Sequence, residues 1–392
     1  MENNSVSFTT LGNLIELLTD YHANGAYEKL KENVNLLDKE NHAVMIRTTN
    51  FEANDFTNNL IYIDEHAYEF LKKSKVYTSD LIMNKIANPG TVYFMPNLSK
   101  PVSLGMNLFL IRINPKKADP YFVYAYLRKN EYYVKSFASG STTKTITKDD
   151  VRRLKIYYPP LPEQKKIAQI LSTWDQAITA TEQLLANSQQ QKKALMQQLL
   201  TGKKRLLDEN GVVFSGEWKY GYLHDIAKIS KGKALSSKDL KSGTYPVIAG
   251  GKTSPYSHSD YTHESVITVS ASGAYAGYVA FYPYKIWASD CSVVLSKTDS
   301  DIIFIYHLLV FLQPMIYSLQ SGGAQPHVYP KDLEVLKVPI PSKDEQKKIA
   351  TVLSTADKEI EALQNKLTCL KQEKTALMQQ LLTGKRRVKV DA

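Results

Sequence analysis

The sequence predicts an α+β protein: two globular units of mixed helix and strand, separated by two long antiparallel helices, arranged as an internal repeat with pseudo-two-fold symmetry. Three observations carry that expectation. EQKKIA occurs at Glu163–Ala168 and again at Glu345–Ala350, and ALMQQLLTGK follows each copy at the same distance, at Ala194–Lys203 and Ala376–Lys385. Glu163–Arg205 laid on Glu345–Arg387 gives 26 identities in 43 positions at a constant offset of 182. The chain between these segments mixes short β-rich runs with helical stretches and shows no clean βαβ alternation. A period this long means duplication of a large unit rather than a solenoid.

The first globular unit is expected over residues 1–158. Its strands read from TVYFM (Thr91–Met95) and NLFLIRI (Asn107–Ile113), its helices from Leu14–Leu18 and Tyr121–Lys135, with a turn at Asn88-Pro89-Gly90. The second is expected over 207–340, with strands at ESVITVS (Glu264–Ser270), GYVAFY (Gly277–Tyr282) and CSVVL (Cys291–Leu295), and turns at Ser242-Gly243 and Gly250-Gly251. Paired positions extend upstream of the helices at the same offset: Ser139-Gly140 with Ser321-Gly322, Asp150 with Asp332, and Leu154-Lys155 with Leu336-Lys337. Near the unit starts Gly12 and Leu14 answer Gly221 and Leu223 at an offset of 209, so the first unit carries about 27 extra residues while the helices stay strict.

The helical regions span 159–206 and 341–392. In the first, apolar residues recur at Ile167, Leu171, Trp174, Ile178, Leu185, Leu195 and Leu199; in the second at Ile349, Leu353, Ile360, Leu363, Leu367, Leu370, Leu377 and Leu381. Alternating spacings of four and three make an a/d seam, the pattern of a coiled coil. Thr181, Ser188, Lys192 and Lys374 interrupt it. Ser342-Lys343-Asp344-Glu345 reads as a capping box, Pro162 suits a first helical position, and Gly202 and Gly384 suit left-handed closure. About forty residues per helix make a rod of roughly 60 Å. The basic clusters Lys203-Lys204-Arg205 and Lys385-Arg386-Arg387 are read as complementing the carbonyl end of each helix dipole.

Composition narrows the function. In 392 residues, 43% apolar and 22% charged content is ordinary for a soluble protein. The longest apolar run, Ile302–Leu312, is too short to span a bilayer and is interrupted by His307. No signal-peptide pattern opens the sequence, and two cysteines, Cys291 and Cys369, make neither a disulfide framework nor a metal site. The expected setting is therefore cytoplasmic, with no membrane contact. A net charge of +10 points to a polyanionic partner.

Catalytic patterns are not found. AGGKTSPY (Ala249–Tyr256) has Pro246 where a phosphate loop needs its first glycine. ADPYF (Ala118–Phe122) and YYPPL (Tyr157–Leu161) fall short of the motif of amino-methyltransferases. The eight histidines show no zinc spacing, and Asp149-Asp150 reads as helix-start chemistry rather than a metal site. The reading is a non-enzyme that binds no metal and no cofactor.

Ser-Gly, Lys-Asp, Leu-Lys and prolines before EQKKIA, occurring twice ahead of long helices that end in ALMQQLLTGK, resemble the specificity subunit of Type I restriction–modification systems. IRTTNF (Ile46–Phe51) with YTSDLIMNKIANPG (Tyr77–Gly90), and Val266–Leu295, are similar to that family's target-recognition domains. The resemblance implies a non-catalytic, sequence-specific subunit that binds double-stranded DNA. Each domain would read half of a bipartite asymmetric site, and the helices would set the spacer. It also implies two methyltransferase (M) subunits bringing S-adenosylmethionine, and two restriction/translocase (R) subunits using ATP and magnesium. The alternative is a non-catalytic coiled-coil scaffold joining two protein- or ligand-binding domains. If DNA is the partner, loops with base-edge donors and acceptors are the candidates. They are Ser141, Thr142, Thr143 and Lys144 before the first helix, and Gln325, His327 and Tyr329 before the second. Arg47, Thr49 and Asn50, and Lys252, Thr253 and Ser254, sit beside expected strand ends.

Overall fold

A computed structural model describes residues 7–389 apart from 237, 252, 253, 255 and 324. The chain divides into two units: Met1–Ala180 with Leu367–Ala392, and Thr181–Lys366. Each unit thus combines one globular segment with the start of its own long helix and the tail of the other repeat's helix.

In the first unit an antiparallel sheet runs in the order Ile15–Asp20, Leu108–Ile113, Leu81–Asn84, Val92–Phe94. The second unit has the same order in Ala227–Lys231, Cys291–Ser296, Val266–Ser270, Val279–Tyr282. All the strands expected from β-rich runs lie in these two sheets. Each unit adds a smaller mixed sheet, four strands around Ala43–Ile46 and Val102–Leu104 in the first, three around Tyr245–Ile248 in the second. Each also has an antiparallel ribbon leading into its long helix: Phe8–Thr10 with Lys155–Tyr157, and Lys219–Tyr222 with Lys337–Ile340.

Three expectations about the globular units need correction. Leu14–Leu18 is not a helix: a four-residue turn of helix ends at Leu14, and Ile15–Asp20 pairs as a strand with Leu108–Ile113. Tyr121–Lys135 is two helices, Pro120–Lys129 and Glu131–Lys135, broken at Asn130. The equivalent residues at the unit starts are Leu11 and Leu223, whose amides donate to Leu154 and Leu336 at 2.7 and 2.8 Å. That offset is 212, so the first unit carries 30 extra residues (212 minus 182), not 27. Part of the difference is a separate small core around Tyr21, Leu30, Ile63 and Leu71.

The long helices are Leu161–Leu199 and Lys343–Leu381, each of 39 residues and therefore about 58 Å long. The repeated EQ pair explains why each helix starts where it does. Gln164 is fully buried; its amide donates to the Pro159 carbonyl at 2.8 Å and accepts from the Asp119 amide at 3.1 Å. Gln346 repeats this with Pro341 at 3.0 Å and Asp301 at 2.9 Å. Asp119 and Asp301 in turn cap the helices Pro120–Lys129 and Ile302–Phe311. One glutamine thus ties a long helix to a globular helix in each unit.

The glutamates reach further. Glu345 does not fold back in a capping box, although the Ser342 hydroxyl does accept from its amide at 3.4 Å. Its carboxylate takes Arg205 at 2.5 and 2.7 Å and the Trp218 indole at 2.9 Å. Glu163 takes Arg387 at 2.6 to 3.0 Å. The last arginine of each basic cluster therefore answers a buried carboxylate rather than the helix dipole. Lys203, Lys204, Lys385 and Arg386 stay exposed. Pro162 is the second helical residue, since the helix begins at Leu161. Gly202 and Gly384 are left-handed, at φ +70° and +72°.

The lysines that break the apolar spacing are also paired. Lys374 binds Asp175 in the first unit and Lys192 binds Asp357 in the second. In each unit the partner number falls as the other rises (163 with 387, 175 with 374; 192 with 357, 205 with 345), so the two helical segments run antiparallel there. Of the seam positions, Ile167, Leu171, Leu199, Ile349, Leu353 and Leu381 are buried; Trp174, Ile178, Leu185, Leu195, Ile360, Leu363, Leu367, Leu370 and Leu377 are half-buried. Ile167 and Leu171 share one core with Leu381 and Leu382, and Leu199 and Leu200 share another with Ile349 and Leu353. Thr181 and Ser188 are buried too, and the Ser188 hydroxyl donates to Glu359 at 3.1 Å.

Candidate nucleic-acid interface

In each unit one strand of the larger sheet ends where the candidate loops converge. In the first unit it is Leu81–Asn84. Asn84 is 1% exposed; its side chain accepts from the Thr48 hydroxyl at 3.0 Å and donates to the Tyr93 hydroxyl at 3.3 Å. The next residue, Lys85, donates its amide to the Asn107 carbonyl at 2.9 Å and accepts from the Ile146 amide at 3.1 Å. The helix Thr48–Glu52 and the loop before the long helix are thereby fastened to one strand end.

That loop closes on itself: Ser139 and Thr145 exchange backbone bonds of 2.9 and 2.8 Å. Gly140 holds φ +128°, and a Cβ there would lie 2.3 Å from the Thr143 carbonyl oxygen, so only glycine fits. Ser141, Thr142, Thr143 and Lys144 are exposed at its tip. With Ala87, Asn88, Pro89 and Lys135, three of them line a cavity of about 430 Å³. Arg47 is half-buried; one guanidinium nitrogen donates to the Asn59 carbonyl at 3.3 Å, and Nε has no hydrogen-bond partner. Thr49 is exposed. Asn50 is buried: its oxygen accepts from the Arg47 amide at 2.9 Å and its nitrogen donates to the Asp55 carbonyl, which occupies it in capping the short helix. Asp150, as expected, starts a helix, in a reciprocal cap with Thr147.

Two cations missed in the sequence stand beside this loop. Lys85 and Lys148 flank Asp20 at 3.2 and 3.0 Å. Burial pushes the Asp20 carboxyl up, but the two lysines outweigh it and hold the group below the ordinary carboxylate range.

In the second unit the matching strand is Val266–Ser270. Ala271 donates to the Asp290 carbonyl at 3.2 Å and accepts from the Val328 amide at 3.0 Å, the same frame as in the first unit. Ser321 and His327 exchange backbone bonds of 3.0 and 2.8 Å, and Gly322 at φ +95° plays the part of Gly140. Gln325 and Tyr329 are exposed, and the His327 ring stacks on Tyr329 with centroids 5.9 Å apart. The Pro326 carbonyl accepts from the Gly273 amide at 3.1 Å. The Ser254 hydroxyl donates to the Val247 and Tyr256 carbonyls at 2.5 and 2.8 Å, so it shapes its own turn. Lys252 and Thr253 lie outside the described residues.

The unit also presents Asp290, exposed, with the Ser272 hydroxyl donating to its carboxylate. Sequence reasoning passed over this residue, although Asn107 and Asp290 each stand directly before a legible strand. Next to it, Cys291 is buried, and burial pushes its thiol up to about 12. Among the described residues no three His, Cys, Asp or Glu side chains are grouped to hold a metal ion. No described helix is long and apolar enough to cross a membrane.

Comparison with known proteins places these features in company. The family described as Type I restriction modification DNA specificity domain matches residues 10–187 and 215–372. The chain is 28% identical over 359 residues to a Methanocaldococcus jannaschii protein assigned as the MjaX type I restriction enzyme specificity subunit, covering 84% of this chain and 83% of that one. It is 24% identical over 335 residues to the same organism's MjaVIII specificity subunit, covering 77% and 78%. In fold it is similar to the crystal structure of the type I restriction–modification S subunit from M. genitalium: TM-score 0.68, 17% identity, 97% of this chain and 98% of that one.

Proposed function

The chain belongs to the Type I restriction modification DNA specificity domain family, and from that premise we propose that each unit reads one half of a bipartite, asymmetric duplex site. As a specificity subunit it is not itself an enzyme; it binds DNA and assembles with methyltransferase and restriction subunits. The observation that carries the half-site reading is the pair of equivalent strand ends. The backbone frame is the same in both, with Lys85 held by Asn107 and Ile146, and Ala271 by Asp290 and Val328. The side chains on that frame differ: Ser141, Thr142, Thr143, Lys144 and Arg47 in one unit, Gln325, His327 and Tyr329 in the other. A common frame suits the repeating backbone of a duplex, and unlike side chains suit unlike base edges.

Two helices of equal length support a role in setting the spacer between half-sites. In this reading the helical regions dock two methyltransferase subunits, which bring S-adenosylmethionine, and two restriction subunits join with ATP and magnesium. Arg47 and the two pre-helix loops are the DNA contacts that the geometry favours. Asn50 and Ser254 act through the turns they hold.

The test is co-expression with its methyltransferase in a host lacking other adenine methylation. Single-molecule sequencing is expected to find methylated adenines at one bipartite motif, and none when either chain is omitted. Absence of any such motif, or methylation by the chain alone, overturns the reading.

A further inference from the structure

We propose that Asp290 is a specificity-determining residue of the second unit, accepting a hydrogen bond from an exocyclic base amine, cytosine N4 or adenine N6, in that unit's half-site. The inference rests on the half-site reading and names the chemistry of one position within it.

The argument begins with location. Three segments meet at Asp290. Its carbonyl holds the residue after the central strand, through the Ala271 amide at 3.2 Å. Its carboxylate receives the Ser272 hydroxyl, and Gly273 beside that serine is bonded to the loop that carries Gln325, His327 and Tyr329. On the other side, a Cβ on Gly250 would stand 3.3 Å from the carboxylate and 2.9 Å from the Ser272 carbonyl, so Gly250 lies directly beside it. Asp290 is therefore where the end of the central strand, the Ser272-Gly273 turn that holds the pre-helix loop, and Gly250 come together.

Its charge is out of place unless it has a task. The chain carries +10, and the shared face is the one assigned to a polyanion. A carboxylate there repels phosphate and weakens binding to every sequence alike. The gain that offsets this is at base edges, where carboxylates accept from exocyclic amines. Among the described residues no lysine or arginine forms an ion pair with Asp290; its carboxylate takes a neutral hydroxyl, which leaves lone pairs open. Asp149 and Asp344, exposed acids close to the starts of the long helices, do have cationic partners.

The first unit supplies the internal comparison. The equivalent residue is Asn107, which holds Lys85 as Asp290 holds Ala271. Asn107 adopts φ +66°, a conformation asparagine tolerates, so its backbone accounts for it. Asp290 is not among the residues with positive φ, and backbone conformation does not require it. An amide offers donor and acceptor, a carboxylate only acceptors. The two units therefore differ in kind at the same place on the same frame.

The experiment uses the full chain with its methyltransferase, as wild type, D290A and D290N, and reads the methylated motif. Binding of each purified complex is also measured on the cognate duplex, on duplexes changed one base pair at a time, and on an unrelated duplex. For D290A, preference is expected to fall roughly 5- to 150-fold at one base pair of one half-site, with unrelated-duplex binding unchanged or tighter. Whether cytosine or adenine occupies that position identifies the amine. D290N keeps an oxygen for Ser272 and adds a donor, so it is expected to fold and to shift preference at the same base pair. An intact motif in both variants overturns the inference. So does an equal loss on cognate and unrelated duplex, which marks a purely structural residue. A wild-type complex with no bipartite motif would instead sink the half-site reading itself.

Discussion

Glu345 is 1% exposed, and its two oxygens are taken by Arg205 and Trp218. Deleting the cation leaves a buried carboxylate with only the neutral Trp218 indole beside it, which costs about 3–5 kcal/mol. Arg205→Ala is therefore expected to lower the urea midpoint of the second unit sharply. Lys347→Ala, which removes the exposed pair with Asp344, should change stability by less than ~1 kcal/mol. His307 makes a second prediction. It is 1% exposed, with Nε2 3.2 Å from the Ser354 hydroxyl and Nδ1 3.8 Å from Asp357, which also binds Lys192. Burial depresses its proton affinity; Asp357 opposes that and Lys192 adds to it. The folded state then holds a neutral ring while the unfolded ring titrates near pH ~6.5. Its contribution is intact above that pH and is lost as pH falls toward the lower folded value. The stability difference between wild type and His307→Gln should accordingly shrink on acidification in that window. Neither partnership was legible in the sequence. Glu345 stands three residues after a serine, the spacing of a local cap, and its true partner is 140 positions away. His307 looked like an interruption in an apolar run, because burial beside Asp357 depends on the fold.

The expected strands were found because β-branched and aromatic runs between turns have few other solutions. The long helices were legible from spacing, and their ends from glycine. Leu14–Leu18 failed for a definite reason: Leu14, Ile15, Leu17 and Leu18 fit a helical face as well as an alternating strand, and pairing with Leu108–Ile113 decided it. The pre-helix loops were found through the repeated Ser-Gly. Asp290 and Lys85 were not, because what distinguishes them is the strand end they share with distant loops. One prediction belongs to the helices. Lys192 follows Asp175 by 17 positions, and Lys374 follows Asp357 by 17. A heptad inserted between Ala180 and Ser188 makes those intervals unequal. The single insertion is expected to abolish co-purification with the methyltransferase. A matching heptad between Ala362 and Asn365 should restore it and move the methylated motif to a longer spacer. An unchanged spacer in the double insertion would falsify the role given to the helices.

For the chain as a whole, a charge of +10 predicts duplex binding that weakens steeply with salt. Lys144→Ala should reduce the slope of log affinity against log salt by about one and weaken all sequences alike, as for a phosphate contact. If it instead changed only the preferred motif, Lys144 would be reading bases. The class of the fold and its duplication were visible at this scale because the repeat is nearly unbroken over its helical part. The unit boundaries were less so, since each unit includes a tail from the other repeat. That exchange of tails has an evolutionary consequence. Glutamate, glutamine, aspartate, lysine and arginine clamps occur at matching positions in both copies, so a tail from either copy satisfies either start. Homologous exchange inside the repeated stretch would graft a foreign globular segment while keeping the residue types of every clamp. A globular segment can then be exchanged in one genetic step with its helix clamps intact.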